Sequence, residues 1–217
     1  MQKRILFFAL AAAFAVSAHA GSGKDIDKVN GEIRLDAGET GGNLETVNGS
    51  IRLGDNARAE GVDTVNGSID LGQGVEVKSL QTVNGAVEIG ERSTVRGEVE
   101  AVNGAITVGR GAVVEKDVSN VNGRIEVESA HVGGRISTVQ GDVDIGADSR
   151  VDGGILVERP SGFSWSKNRN PRVVIGPNAV VGGKLEFKRD VDLYVSKTAR
   201  VGTIEGATPV TFEGSKP

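Results

Sequence analysis

The sequence predicts an all-β protein, a single-stranded parallel β-helix (β-solenoid), three-sided and right-handed, with about nine rungs of 18–20 residues. Three observations carry this. A Val-Asn-Gly tripeptide recurs at a fixed period. The residues after each copy alternate apolar and soluble. Finally, the roughly 140 residues from Gly21 up to Phe163 contain no aromatic side chain, which suits a narrow bore built of Val, Ile, Leu, Ala and Gly.

The tripeptide stands at 29–31, 47–49, 65–67, 83–85, 102–104 and 121–123, and Val139-Gln140-Gly141 continues the series with spacings of 18, 18, 18, 19, 19 and 18 residues. So short a period leaves no room for a helix pair, and a coil of short strands stacked on the next coil remains. The first strand of each turn is the alternation Ile33/Leu35, Ile51/Leu53, Ile69/Leu71, Val87/Ile89, Ile106/Val108, Ile125/Val127 and Val143/Ile145. Arg34, Arg52, Asp70, Glu88, Thr107, Glu126 and Asp144 lie between those pairs, so one side is buried and the other is wet. A second strand is marked by Val75/Val77, Val95, Val113, Val132 and Val151. A third leads into the next Asn-Gly through Leu44/Val47, Leu80/Val83, Val118/Val121 and Ile136/Val139. Stacking places equivalent residues ~4.8 Å apart, so the Val of each tripeptide is expected to form an internal column. Asn30, Asn48, Asn66, Asn84, Asn103 and Asn122 are expected to form a structural ladder at a corner. Left-handed backbone beside Gly and amide-to-amide bonding along the stack are both open explanations for it.

Residues 1–20 read as a secretory signal peptide, with Lys3 and Arg4, the apolar run Ile5–Val16 and Ala18-His19-Ala20 before Gly21. The regular repeats then occupy 21–158, a loop insertion 159–172, C-terminal rungs and a cap 173–212, and a tail 213–217. The insertion is set off by Pro160 and Pro171 and by loss of alternation. Its Phe163, Trp165, Lys167, Arg169 and Arg172 are the candidate interaction residues, because binding groups collect on loops of rigid scaffolds. Phe187, Tyr194 and Phe212 are expected to cover the open end.

Composition narrows the function classes. With no Cys anywhere, disulfides, thiolate metal sites and a lipid-modified cysteine are excluded. Removal of Lys3 and Arg4 takes the net charge from −4 to −6 with both signs interspersed, so no basic stripe awaits nucleic acid. His131 is the one histidine after Gly21. Neither a catalytic group, nor a metal site, nor a cofactor is therefore expected.

Val47-Asn-Gly-Ser-Ile-Arg-Leu-Gly54 and Val65-Asn-Gly-Ser-Ile-Asp-Leu-Gly72 resemble the repeats of a bacterial adhesin family of unknown function. The C-terminal Val-x-Gly pattern is similar to bactofilins, polymer-forming β-helical proteins that are typically cytoplasmic, unlike a chain with a signal peptide. Ile175-Gly-Pro-Asn-Ala-Val180 and Ile89-Gly-Glu-Arg-Ser-Thr-Val95 look somewhat like the left-handed helix of hexapeptide acyltransferases, but the drift from 18 to 20 residues breaks strict hexads. The resemblances imply a β-solenoid, and the signal peptide, the rigid repeat and the missing catalytic groups point to a non-enzymatic, exported structural or surface-interaction, adhesin-like protein of the bacterial envelope, periplasmic or secreted. Its expected partner is an envelope protein or glycan, with no integral membrane segment and with homo-oligomers compatible. The alternatives are a glycan-binding or carbohydrate-active β-helix, then an acyltransferase or a filament-forming scaffold.

Overall fold

The computed structural model describes residues 23–160 and 169–217. The signal-peptide assignment and Phe163, Trp165 and Lys167 lie outside the described residues. The rest is an all-β parallel solenoid of about ten turns, with no helix among the described residues. One turn shows the plan: Gly61–Asn66 on face 1, Ile69–Leu71 on face 2, Glu76–Val77 on face 3, then Ser79–Asn84 back on face 1. Faces 1 and 2 are sheets of 10 strands and face 3 has 7, extended by bridges between Thr40, Arg58 and Glu76. All strand pairs are parallel, and the register repeats residue for residue, as in Ile51↔Ile69↔Val87↔Ile106.

Each of the three corners has its own chemistry. Between faces 1 and 2 the Asn-Gly corners stack so closely that a Cβ on Gly85 would lie 1.9 Å from the Gly67 carbonyl oxygen. Only glycine fits there. Between faces 2 and 3 the chain turns through left-handed backbone at Asn56, Arg92, Ser129, Asp148 and Asn178, with φ of 45–58°. A small residue follows and points inward, as Ala57, Ser93, Ala130, Ser149 and Ala179 do, and as Ala112 does after Gly111. The corner between faces 3 and 1 opens outward as a groove.

The interior differs from the sequence expectation in one respect. On face 1 the residues that point in are Leu44 and Thr46, Val62 and Thr64, Leu80 and Thr82, Val99 and Ala101, Val118 and Asn120. The Val of each tripeptide points out. Val29 is 64% exposed and Val47, Val65, Val83, Val102 and Val121 are half-buried, so the expected internal Val column is overturned. Parity is the reason: Leu80 and Val83 are three apart, and a strand turns only every second residue to one side. Threonine is tolerated inside because its hydroxyl finds a carbonyl. Thr46, Thr64 and Thr82 donate to the Gly31, Gly49 and Gly67 oxygens at 3.3, 3.0 and 3.1 Å.

At the insertion the strand spacing jumps, with Val143 paired to Val173 and Ile155 to Leu185, so the ladder closes across the extra residues. The three late rings have separate places. Phe187 fills the bore in the penultimate turn of face 1, and Phe212 is buried in the last strand. Tyr194 stands on the outer side of face 2, with the Arg172 guanidinium 5.1 Å from its ring centroid, so it covers no end.

This register sets two expectations. Leu80→Asp should cost about 3–5 kcal/mol because it leaves a carboxylate in an apolar bore, whereas Val83→Asp should cost roughly 1 kcal/mol on the outside. Urea melts followed by circular dichroism check this, and equal losses would reverse the assignment. Deleting Asn66 through Val83 joins Val65 to Asn84 and removes one whole turn, so a shorter folded β protein is expected. A disordered far-ultraviolet spectrum would show that the turns are not interchangeable.

Candidate functional site

A groove of about 890 Å³ runs along the face 3 to face 1 corner. Its walls come from the end of face 3 and the start of face 1, as with Glu76 and Val77 on one side and Ser79 and Gln81 on the other, which a single residue, Lys78, separates. Arg58, Glu60, Glu76, Lys78, Arg96 and Glu98 line it. Stacking makes their charges alternate: Arg58 and Arg96 both reach Glu76, at 3.3 and 2.9 Å, and Lys78 lies 3.8 Å from Glu60. Pairs this exposed contribute only ~0–1 kcal/mol each, so they hold the groove's shape and charge pattern more than its stability.

A second column of carboxylates flanks the groove on the outer side of face 1. The residues three before the six ladder asparagines are Asp27, Glu45, Asp63, Gln81, Glu100 and Ser119, stacked in register. Burial pushes the Asp63 carboxyl up to about 7, and repulsion from Glu45 and Glu100 adds to it. Glu45 is likewise raised by burial, then by Asp27 and Asp25, and Glu100 by burial, then by Glu98. One Asp63 oxygen, Oδ1, is buried with no hydrogen-bond partner. This column was visible in the sequence as an acidic position at fixed offset from Asn-Gly, masked by Gln81 and by the serines at 119 and 137.

The asparagine ladder is a chain of amide bonds. The side-chain nitrogens of Asn48, Asn66, Asn84, Asn103 and Asn122 donate to the amide oxygen one turn below at 3.0, 2.9, 2.9, 3.1 and 2.9 Å. None of these residues has positive φ, so amide stacking rather than left-handed backbone accounts for the column.

Of the candidate loop residues, Arg169 and Arg172 are described, and both meet Asp142. The Arg169 guanidinium donates to its Oδ2 at 2.7 Å and the Arg172 backbone amide to its Oδ1 at 2.9 Å. Burial alone would raise the Asp142 carboxyl, but these two bonds bring it below its ordinary value. Here the two arginines anchor the chain's return to the solenoid. His131 shares Asp152 with Arg150, at 2.8 and 2.7 Å, and the His131 hydrogen bond holds that carboxyl below its usual range. No group of three His, Asp or Glu among the described residues is placed to hold a metal ion, and no helix among them is long and apolar enough to cross a membrane. Compared with known proteins, the chain matches no family model, no curated protein and no solved structure.

Asp63 gives the site a measurable signature. Its folded value is about 7 against an ordinary 3.8, so the folded chain holds this proton more tightly than the unfolded one. Its contribution to stability is therefore fully present below pH ~4 and is lost as pH rises towards 7. Asp63→Asn should abolish that loss and stabilise the protein at pH 8 by an amount on the order of 2–4 kcal/mol. Parallel thermal melts at pH 5 and pH 8 check it, and an unchanged difference between the two would place the burden on another group.

Proposed function

We propose that this protein is an exported, non-enzymatic structural or surface-interaction rod of the bacterial envelope, adhesin-like in the way its repeats present one surface many times. The observation that supports this best is the groove running along several turns, whose ionic groups are tied to one another in the Arg58–Glu76–Arg96 and Glu60–Lys78 pairs. A groove of paired charges presents a fixed pattern to a polymer. The carboxyls with the most raised proton affinity stand in a column of like groups and not opposite one another across a cleft, a poor arrangement for acid and base work on one bond. Export rests on the basic, apolar and Ala-His-Ala stretches of residues 1–20.

Glycan binding is a second reading with an observation of its own. Lys78, Ser79 and Gln81 of one turn offer donors and acceptors on the groove wall, and Arg58 and Glu60 on one side and Arg96 and Glu98 on the other repeat polar groups at the ~4.8 Å rise of the turns.

The test is made on cells. Mass spectrometry of the native protein should give a chain beginning at Gly21, found outside the cytoplasm. The purified mature chain, incubated with a panel of envelope polysaccharides, should sediment with one or more of them and release no new reducing ends. Lys78→Glu with Arg96→Glu should weaken that retention about tenfold while leaving the melt unchanged within about 1 kcal/mol. A retained leader would overturn export, and release of reducing ends would overturn the non-enzymatic reading.

A further inference from the structure

Faces 2 and 3 tie several of their outer carboxylates to arginines within the chain, while Glu88, Glu126 and Asp144 of face 2 have no ion-pair partner among the described residues. On face 2 Arg52 holds Glu32 and Asp70, at 2.9 and 3.2 Å, and on face 3 Arg58 and Arg96 hold Glu76. Face 1 does not. Its strands Gly41–Asn48, Gly61–Asn66, Ser79–Asn84, Val99–Asn103 and Val118–Asn122 contain no Lys or Arg. Among the described residues Glu45, Asp63 and Glu100 have no ion-pair partner.

Beside this uncompensated column runs an apolar one. Val47, Val65, Val83, Val102 and Val121 stand in line on the same outer side, half-buried only by their stacked neighbours. The stripe continues into a covered stretch, where Ser137, Val139 and Leu156 still point outward yet are 8%, 7% and 3% exposed, and where the Arg189 guanidinium donates to the Val139 oxygen at 3.2 Å. One end of the stripe is thus closed by the protein, partly by an arginine. Five turns of it are open.

We propose that the open part of face 1 binds a basic amphipathic helix of a partner protein, lying along the rod with its apolar side on the valine column and its Lys or Arg side chains over Glu45, Asp63 and Glu100. This deepens the interaction-module reading by naming the chemistry of a partner. The spacing favours a helix over an extended strand. Four steps from Val47 to Val121 cover ~19 Å, the length of about 13 helical residues, and a helix returns its face every ~5.4 Å against ~4.8 Å for the turns. The drift over that length is about half a step. An extended chain laid the same way returns a side every ~6.7 Å and loses register within three residues. Charge adds to the fit. The groups facing the column are Asp25 and Asp27 on the first strand and Glu98 beside Glu100, so an incoming cation meets negative charge at Glu45, Asp63 and Glu100 and neutral groups at Gln81 and Ser119.

The test uses the mature chain and a synthetic peptide of about 18 residues, long enough to form a helix, with Leu along one stripe and Lys on its flanks. Fluorescence anisotropy at pH 8 reads its binding, beside a scrambled peptide of the same composition. The amphipathic peptide should bind at least about tenfold tighter than the scrambled one. Glu45→Gln with Asp63→Asn and Glu100→Gln should remove that preference, as should Val65→Ser with Val83→Ser. Glu88→Gln with Glu126→Gln and Asp144→Asn, which strips equal charge from face 2, should leave it intact. Binding should also weaken from pH 8 to pH 5.5 as the face 1 carboxyls take up protons. Should the serine variant fail to fold by circular dichroism, the carboxylate set, outward and isosteric, decides alone. Equal binding of both peptides, or equal loss in the face 2 variant, would reduce the effect to unspecific charge and overturn the proposal. Failure of the broader reading would show instead as polysaccharide turnover.

Discussion

Each turn donates its amide hydrogens to the carbonyls of a neighbouring turn, and every other feature of the molecule follows from holding that one spacing. Gly67 accepts its place this way through Asn84 at 3.0 Å, and Ile69 through Ala86 at 2.9 Å. The ~4.8 Å rise allows no room for a side chain where corners lie directly above one another. That is why the Gly column is steric in origin, since a Cβ added to Gly67, Gly85 or Gly104 would run into the carbonyl oxygen of the glycine in the neighbouring turn. The period can stretch from 18 to 19 residues, as between Val87 and Ile106, because the extra residue goes into a corner and leaves the strand register intact.

Equal spacing sets like on like, and the sequence answers differently for each kind of side chain. Apolar columns gain from it, since Ile51, Ile69 and Val87 pack on one another with essentially no exposure. Amides gain as well, because Asn carries both a donor and an acceptor and so bonds up and down the stack. Charges lose. Faces 2 and 3 set opposite signs beside one another at Arg52–Asp70 and Arg58–Glu76–Arg96, whereas the charged members of the face 1 column, Asp27, Glu45, Asp63 and Glu100, keep one sign, relieved by the neutral Gln81 and Ser119. The raised proton affinity of Asp63 is the physical record of that exception.

The period, the three strands per turn and the interruption near Pro160 were legible because each is written as a repeat or as its loss. Ile33/Leu35 and its copies gave face 2 its parity without ambiguity, since the residues between them are charged or hydroxylic. Face 1 misleads for a definite reason. In Leu-x-Thr-Val-Asn-Gly the most apolar reading puts Val inside, but the strand's two-residue period joins Leu80 to Thr82, and a hydroxyl that bonds a neighbouring carbonyl is no burden in the bore. Asn120 takes the same inward place with its amide 2.6 Å from the Gly104 oxygen, which no hydropathy pattern would suggest. The groove was not legible at all, because its lining joins residues of several turns, such as Arg58, Glu76 and Arg96, that only the stacking brings together.

The ends of the described solenoid bear on where recognition can occur. In the first strand, Lys24–Asn30, the place that pairs with the inward Thr46 is taken by Lys28, whose ammonium bonds the Glu32 carbonyl. A cation at an inward position discourages another strand from adding to that edge. At the other end the edges are short, Arg200–Val201, Ile204–Glu205 and Val210–Phe212, and short edge strands offer little to pair with. Neither end therefore presents a long flat template, while the lateral surface repeats the valine and amide columns over five turns, with a carboxylate beside them in three. A rod with guarded ends and a repeated flank gathers its contacts sideways, and the length of any partner it holds is set by the number of turns left uncovered.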